Sequence, residues 1–154
     1  MAVTKENIIH DVIFFIKDDL DGQVTDPISS TRSAKSSFIM TSYPVKEAQY
    51  PLITIKITNF TAIRAGMQTT AQDITLPFEI RVWARNEIEK DRIAQQILSR
   101  LADIQFTVDG STDSNLHDLT ITSAVEIDEP GEIGGKGGIK SRVISGFYRF
   151  YNIS

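Results

Sequence analysis

The chain has 154 residues, 41% hydrophobic and 23% charged, an ordinary balance that favours neither a disordered chain nor a membrane class. Its net charge of −4 and pI near 5.1 argue against sequence-independent nucleic-acid binding, which needs Lys and Arg to neutralise phosphates. Cysteine is absent, which removes disulfides, thiolate nucleophiles and cysteine metal sites and suits a reducing cytoplasm.

One domain covering 1–154 is expected, since a chain of this length buries roughly 70% of its unfolded surface. The longest apolar run, Val12 to Ile16, falls far short of the ~20 residues a membrane-spanning helix needs. The opening MAVTKEN has no apolar h-region, so no secretory leader is expected.

In chain order, Thr4 is a candidate N-cap for a helix through Leu20, with Ile9, Val12, Ile13, Ile16 and Leu20 as its apolar stripe. Ile8, Phe14 and Phe15 fall outside that stripe, and Phe14 and Phe15 are candidates for contact with another subunit if the sheet does not cover them. Asp18, Asp19 and Asp21 crowd the helix end, where Gly22 offers a stop. They lack calcium-loop spacing and read as a solvated terminus. From Gln23 to Ser37 the chain is polar, with Pro27 and five serines, and reads as a loop or mobile arm.

A short strand is predicted from Phe38 to Ser42, then the turn-rich SYPVKEAQYP, then a stronger strand from Leu52 to Thr58 with Ile53, Ile55 and Ile57 on one face. Residues 59–72 lack sustained period and read as a long hairpin loop. The clearest signal follows. Ile74, Leu76, Phe78, Ile80, Val82 and Ala84 alternate with Thr75, Glu79, Arg81 and Trp83, the period of a half-buried strand. From Glu87 the period changes: Ile93, Ile97, Leu101 and Ile104, widened by Ala94 and Leu98, make a helical stripe, with Lys90, Asp91, Gln95, Ser99 and Asp103 off it. Asn86 can cap this helix, with Glu89 three residues on as in a capping box.

Gln105 to Val108 reads as a short strand before the turn signal DGSTDSN. Two longer strands follow, Leu116 to Ile127 and Ser141 to Ile153, joined by DEPGEIGGKGGIK. The last carries apolar bulk on both faces and is expected either at the sheet centre or shared with a neighbouring subunit, which makes Tyr148 and Tyr151 interface candidates. The order predicts an α+β fold, one mostly antiparallel or mixed sheet with two helices packed on it, long loops and a C-terminal β-hairpin.

Catalytic signatures are missing. His10 and His117 belong to no HExxH and stand beside no evident nucleophile, and there is no GxSxG elbow. Asp109, Ser111, Asp113 and Asn115 have alternate spacing but lack the Gly and distal Glu of a calcium loop. Gly134, Gly135, Lys136, Gly137 and Gly138 imitate a phosphate loop, yet no Ser or Thr follows the lysine and a strand, not a helix, comes next. They read as a hairpin tip that can order against a partner protein. Trp83 and Arg81 share one strand face and either stack there or anchor an interface. No enzyme activity, metal or cofactor is expected.

Ser42-Tyr43-Pro44, then Tyr50-Pro51-Leu52-Ile53-Thr54-Ile55, the strand ending Arg81-Val82-Trp83-Ala84 and the helix containing Asp91-Arg92-Ile93-Ala94 together resemble the tail terminator proteins of tailed bacteriophages. The likeness runs from the first helix to about Leu101 and is one of pattern rather than of catalytic residues. It implies a virion structural protein, a homo-oligomeric ring, usually a hexamer, at the head-proximal end of the tail and assembled in the host cytoplasm. Such a ring ends polymerisation of the tail tube protein and offers the joining surface for the head-tail connector or neck protein. In a contractile tail it also meets the sheath protein, and DNA only passes through its lumen. Other phage neck, head-completion and tail-tube proteins are the alternative, and a small-molecule-binding module is a further one.

Overall fold

The computed structural model describes residues 8–32, 37–41, 49–64, 66–67, 72–104, 116–128 and 140–152. Their elements in chain order are α1 (Ile8–Leu20), β1 (Ile39–Met40), β2 (Leu52–Ile57), β3 (Thr61–Arg64), β4 (Gln72–Ala84), α2 (Glu87–Ile104), β5 (Leu116–Asp128) and β6 (Lys140–Asn152). The six strands form one sheet in the order β1-β2-β4-β6-β5, with β3 also on β4. β1 runs parallel to β2 and every other pair is antiparallel, so the fold is α+β with a mixed sheet.

The alternation in β4 sorts its side chains cleanly. Ile74, Leu76, Phe78, Ile80, Val82 and Ala84 are all buried, and they share a face with Ile53, Ile55, Ile144 and Tyr148. This face meets Val12, Ile16 and Leu20 of α1 and Ile93, Ala94, Ile97 and Leu101 of α2 in one core. Both helices therefore lie on the same side of the sheet, α1 over β2 and α2 over β4 and β6. Burial of each large side chain contributes about 1.5–3 kcal/mol, so this layer carries most of the driving force.

β6 lies between β4 and β5, so both of its edges are paired, and its Ile144 and Tyr148 lie on the face that meets the helices. Its Gly146 is opposite Phe78, and a Cβ there would meet the Thr120 carbonyl oxygen at 2.5 Å and the Phe78 ring at 2.8 Å. Thr120 sits where the β5–β6 register shifts, so the close approach and the irregularity occupy one spot.

The stretch read as a hairpin loop contains β3. β2 pairs with the later half of β4 and β3 with its beginning, and the register slips by one residue between Ile57↔Phe78 and Thr61↔Thr75. Pro77 stands at this break. Its carbonyl accepts from the Thr58 amide at 2.9 Å, so the side where its own N–H is missing also faces the break, where a ladder bond is not required.

Elsewhere the boundaries agree closely with the sequence pattern, though the first strand shrinks to Ile39–Met40. Gly22 closes α1 with φ +84°, and the Asp21 and Val24 amides donate to the Lys17 and Leu20 carbonyls. The acidic end of α1 is not simply solvated. Arg100 of α2 holds Asp19 through two bonds of 2.9 and 2.7 Å and ties the helices together. Lys90 corrects a second reading: it was placed off the α2 stripe but is 1% exposed. It lies three and four residues before Ile93 and Ala94 and therefore on their face, with its ammonium 3.6 Å from Asp91. Thr4, the turn residues 42–48 and the segments 105–115 and 129–139 lie outside the described residues.

Candidate interaction surfaces

Trp83 projects from the sheet face opposite the helices, where it packs with Leu52 in a small cluster joined by Met40 and Tyr50. The Arg81 guanidinium stacks 3.9 Å from the centroid of a Trp83 ring and donates to the Ser141 hydroxyl at 3.2 Å. Trp83 Nε1 donates to Thr54 Oγ1 at 3.3 Å. With 9% of its surface exposed, Trp83 closes the edge of its own subunit's packing and offers little area to a partner.

Tyr148 is a correction. It is 1% exposed and stacks on Phe78 at 5.9 Å within the helix-side core, because even-numbered β6 residues face α2. Phe14 is half-buried on α1, with the His10 ring 4.4 Å from its own and the Lys17 ammonium over it at 5.5 Å. It lies in the helix layer, whereas Trp83 lies across the sheet, so the two share no surface. The side chains of Phe15 and Tyr151, and all of Gly134, Gly135, Lys136, Gly137 and Gly138, lie outside the described residues.

Ile9, expected in the buried α1 stripe, is 45% exposed, and Val125 of β5 is exposed as well; other exposed apolar residues lie around β3 and α2. Phe60, Ile63 and Met67 are 43%, 65% and 94% exposed and form an arm around β3, at the beginning of β4. Their lack of period was the available signal: apolar residues that follow neither the strand nor the helix repeat have no core face to join. Along the first turns of α2 lies a groove of about 780 Å³, lined by Thr25, Pro27, Ile88, Arg92, Ile93 and Gln96 together with the α2 cap. Ile88 on its rim is 74% exposed, and Ile93 behind it is buried.

The groove walls are fixed by polar contacts. On one side the Glu89 amide donates to Asn86 Oδ1 at 2.9 Å, capping α2, while the Glu89 carboxylate accepts from the Arg85 amide and guanidinium. The reciprocal bond thus goes to Arg85 rather than to Asn86 itself. Burial raises the Glu89 carboxyl, but these bonds and the nearby Arg85 and Arg32 charges outweigh it and bring it below its ordinary value. On the other side the Thr25 amide donates to Gln96 Oε1 at 3.1 Å.

Arg32 organises the loop that carries Thr25 and Pro27. Its Nε and Nη2 donate to the two Asp26 oxygens at 2.7 and 2.9 Å, and its remaining donors reach the Gln49 and Pro51 carbonyls at 3.0 and 2.6 Å. Asp26 Oδ1 also accepts from the Ile28 amide at 3.0 Å, and the Arg32 amide donates to the Ile28 carbonyl at 2.8 Å to close the turn between them. The stretch expected as a mobile arm is stapled at this point to the segment entering β2.

Comparison of the chain with protein-family models finds no match, and comparison with curated proteins finds none either. Among the described residues no helix is long and apolar enough to cross a membrane.

Proposed function

We propose that this chain is a ring-forming structural protein of a tailed-phage virion, a tail terminator that caps the tube and presents the joining surface for the neck. A ring requires a heterologous contact repeated by rotation, so each subunit needs two different adhesive surfaces. The observation that carries this reading is the presence on one chain of an exposed apolar arm at β3 and a separate groove along α2 with Ile88 on its rim. The resemblance of the segments around Leu52 to Ile55 and Arg81 to Ala94 supplies the particular station, with the tube protein, the neck protein and, in a contractile tail, the sheath as partners.

A second reading, a small-molecule-binding module, draws on the groove, whose size falls within the ~300–1,000 Å³ of ligand pockets. Native mass spectrometry and electron microscopy of the purified chain, alone and with tail tubes, separate the two. Rings seated at one tube end are the expected result. A strict monomer that ignores tube ends sinks the terminator reading, and a monomer that takes up a small ligand favours the second.

A further inference from the structure

We infer that the arm of one subunit, Phe60 with Ile63 and Met67, docks into the groove beside the α2 N-terminus of a second copy of this chain. The inference rests on the ring-forming reading and names the contact that closes the ring.

The arm does not occupy the groove of its own subunit: Phe60, Ile63 and Met67 are exposed, and none of them lines it. An arm that fits a groove on a different surface of a second copy makes a head-to-tail contact, the type that generates rings.

Chemistry favours a second copy over another occupant. The groove presents Ile88 and Pro27 over the buried Ile93, while Asn86 and Glu89 are engaged in the helix cap, so much of what it offers is apolar, like the arm. One opposite pair of charges fits the contact: Arg64 is exposed beside Ile63, and Glu87 is exposed beside Ile88 in a groove that also carries Arg92. Phe60, Ile63 and Met67 are three large apolar side chains, close in the chain and exposed, that association would cover.

Complementation between two variants tests this directly. Ile63→Glu with Met67→Glu spoils the arm, and Ile88→Glu spoils the groove. All three positions are well exposed, so circular dichroism should show intact folds. Each variant alone should associate at least about thirtyfold more weakly than the parent, as on loss of a central interface residue. Mixed in equal amounts they should form one-to-one dimers and nothing larger, because one arm and one groove remain intact. The charge reversals Arg64→Glu and Glu87→Arg should weaken assembly singly and restore it when combined. If the parent forms rings while the variants still close them, or while the mixture stays monomeric, the arm-in-groove contact is wrong and the ring reading stands. A parent that stays monomeric in the presence of tube ends overturns both.

Discussion

Arg32 grips Asp26 through two parallel bonds while donating to two backbone carbonyls of the segment entering β2. The side chains are 7% and 15% exposed, so the pair is largely desolvated. Arg32→Ala leaves a buried carboxylate and two carbonyls without these donors and should destabilise the protein by about 3 kcal/mol in urea titration. Arg32→Lys should recover little, because an ammonium cannot reproduce the fork.

The same pair sets a pH dependence. Burial raises the Asp26 carboxyl, but hydrogen bonds from Arg32 and Ile28 and the Arg32 charge hold it below its ordinary value. The folded state therefore favours the ionised form. The stabilisation is fully present above the unfolded value of about 3.9 and disappears as pH falls through the lower folded-state value. Asp26→Asn should cost stability at pH 7, and its difference from the parent should shrink as pH falls below about 4. An equal difference at pH 7 and pH 2.5 would remove the carboxylate from this account.

Gly146→Ala should destabilise the fold by about 2–4 kcal/mol, since the new methyl meets both the Phe78 ring and the Thr120 carbonyl. Combining it with Phe78→Leu should relieve only part of the added strain, because the Thr120 oxygen belongs to the backbone of β5. Thermal denaturation of the two single variants and the double variant measures the coupling. Full relief in the double variant would mean that β5 yields freely.

Trp83 is the sole tryptophan, and its burial makes fluorescence a direct report on the sheet face opposite the helices. Native emission should be blue-shifted and poorly quenched by acrylamide, moving red on unfolding. Trp83→Phe removes the bond to Thr54 and weakens the Arg81 stack, for an expected loss of about 1–2 kcal/mol. A neutral substitution would show that neither contact contributes.

Asn86→Ala should cost about 1 kcal/mol through loss of the α2 cap, and Asn86→Asp should retain most of it. Guanidinium titration reads this effect. A larger loss in Asn86→Asp than in Asn86→Ala would point to repulsion from Glu89 rather than to capping.

Periodicity made the helix-side core legible: every second residue from Ile74 to Ala84 and the Ile93, Ile97 and Leu101 stripe are buried. Features set by a pair of distant residues were not. Lys90 looked peripheral by its charge, although its position on the helix put it inward. The Arg32 staple joins residues whose neighbours give no local sign of the contact. Tyr148 seemed available to a partner until the parity of β6 placed it in the core. The aperiodic stretch 59–72 signalled apolar side chains with no core face to join, and Phe60, Ile63 and Met67 are exposed.

The placement of β6 between β4 and β5 also governs when this chain can fold. β4 pairs along its whole length only with β6, and Ile80 meets Ile144 across 64 positions of sequence. During synthesis that edge of β4 must wait for the C-terminal strand, so sheet closure is a late, non-local event and folding should be slow for a chain of this size. Until then the wide face under α2 is only partly walled. The nascent chain is thus kept from completing its sheet until the strand that separates β4 from β5 has been made.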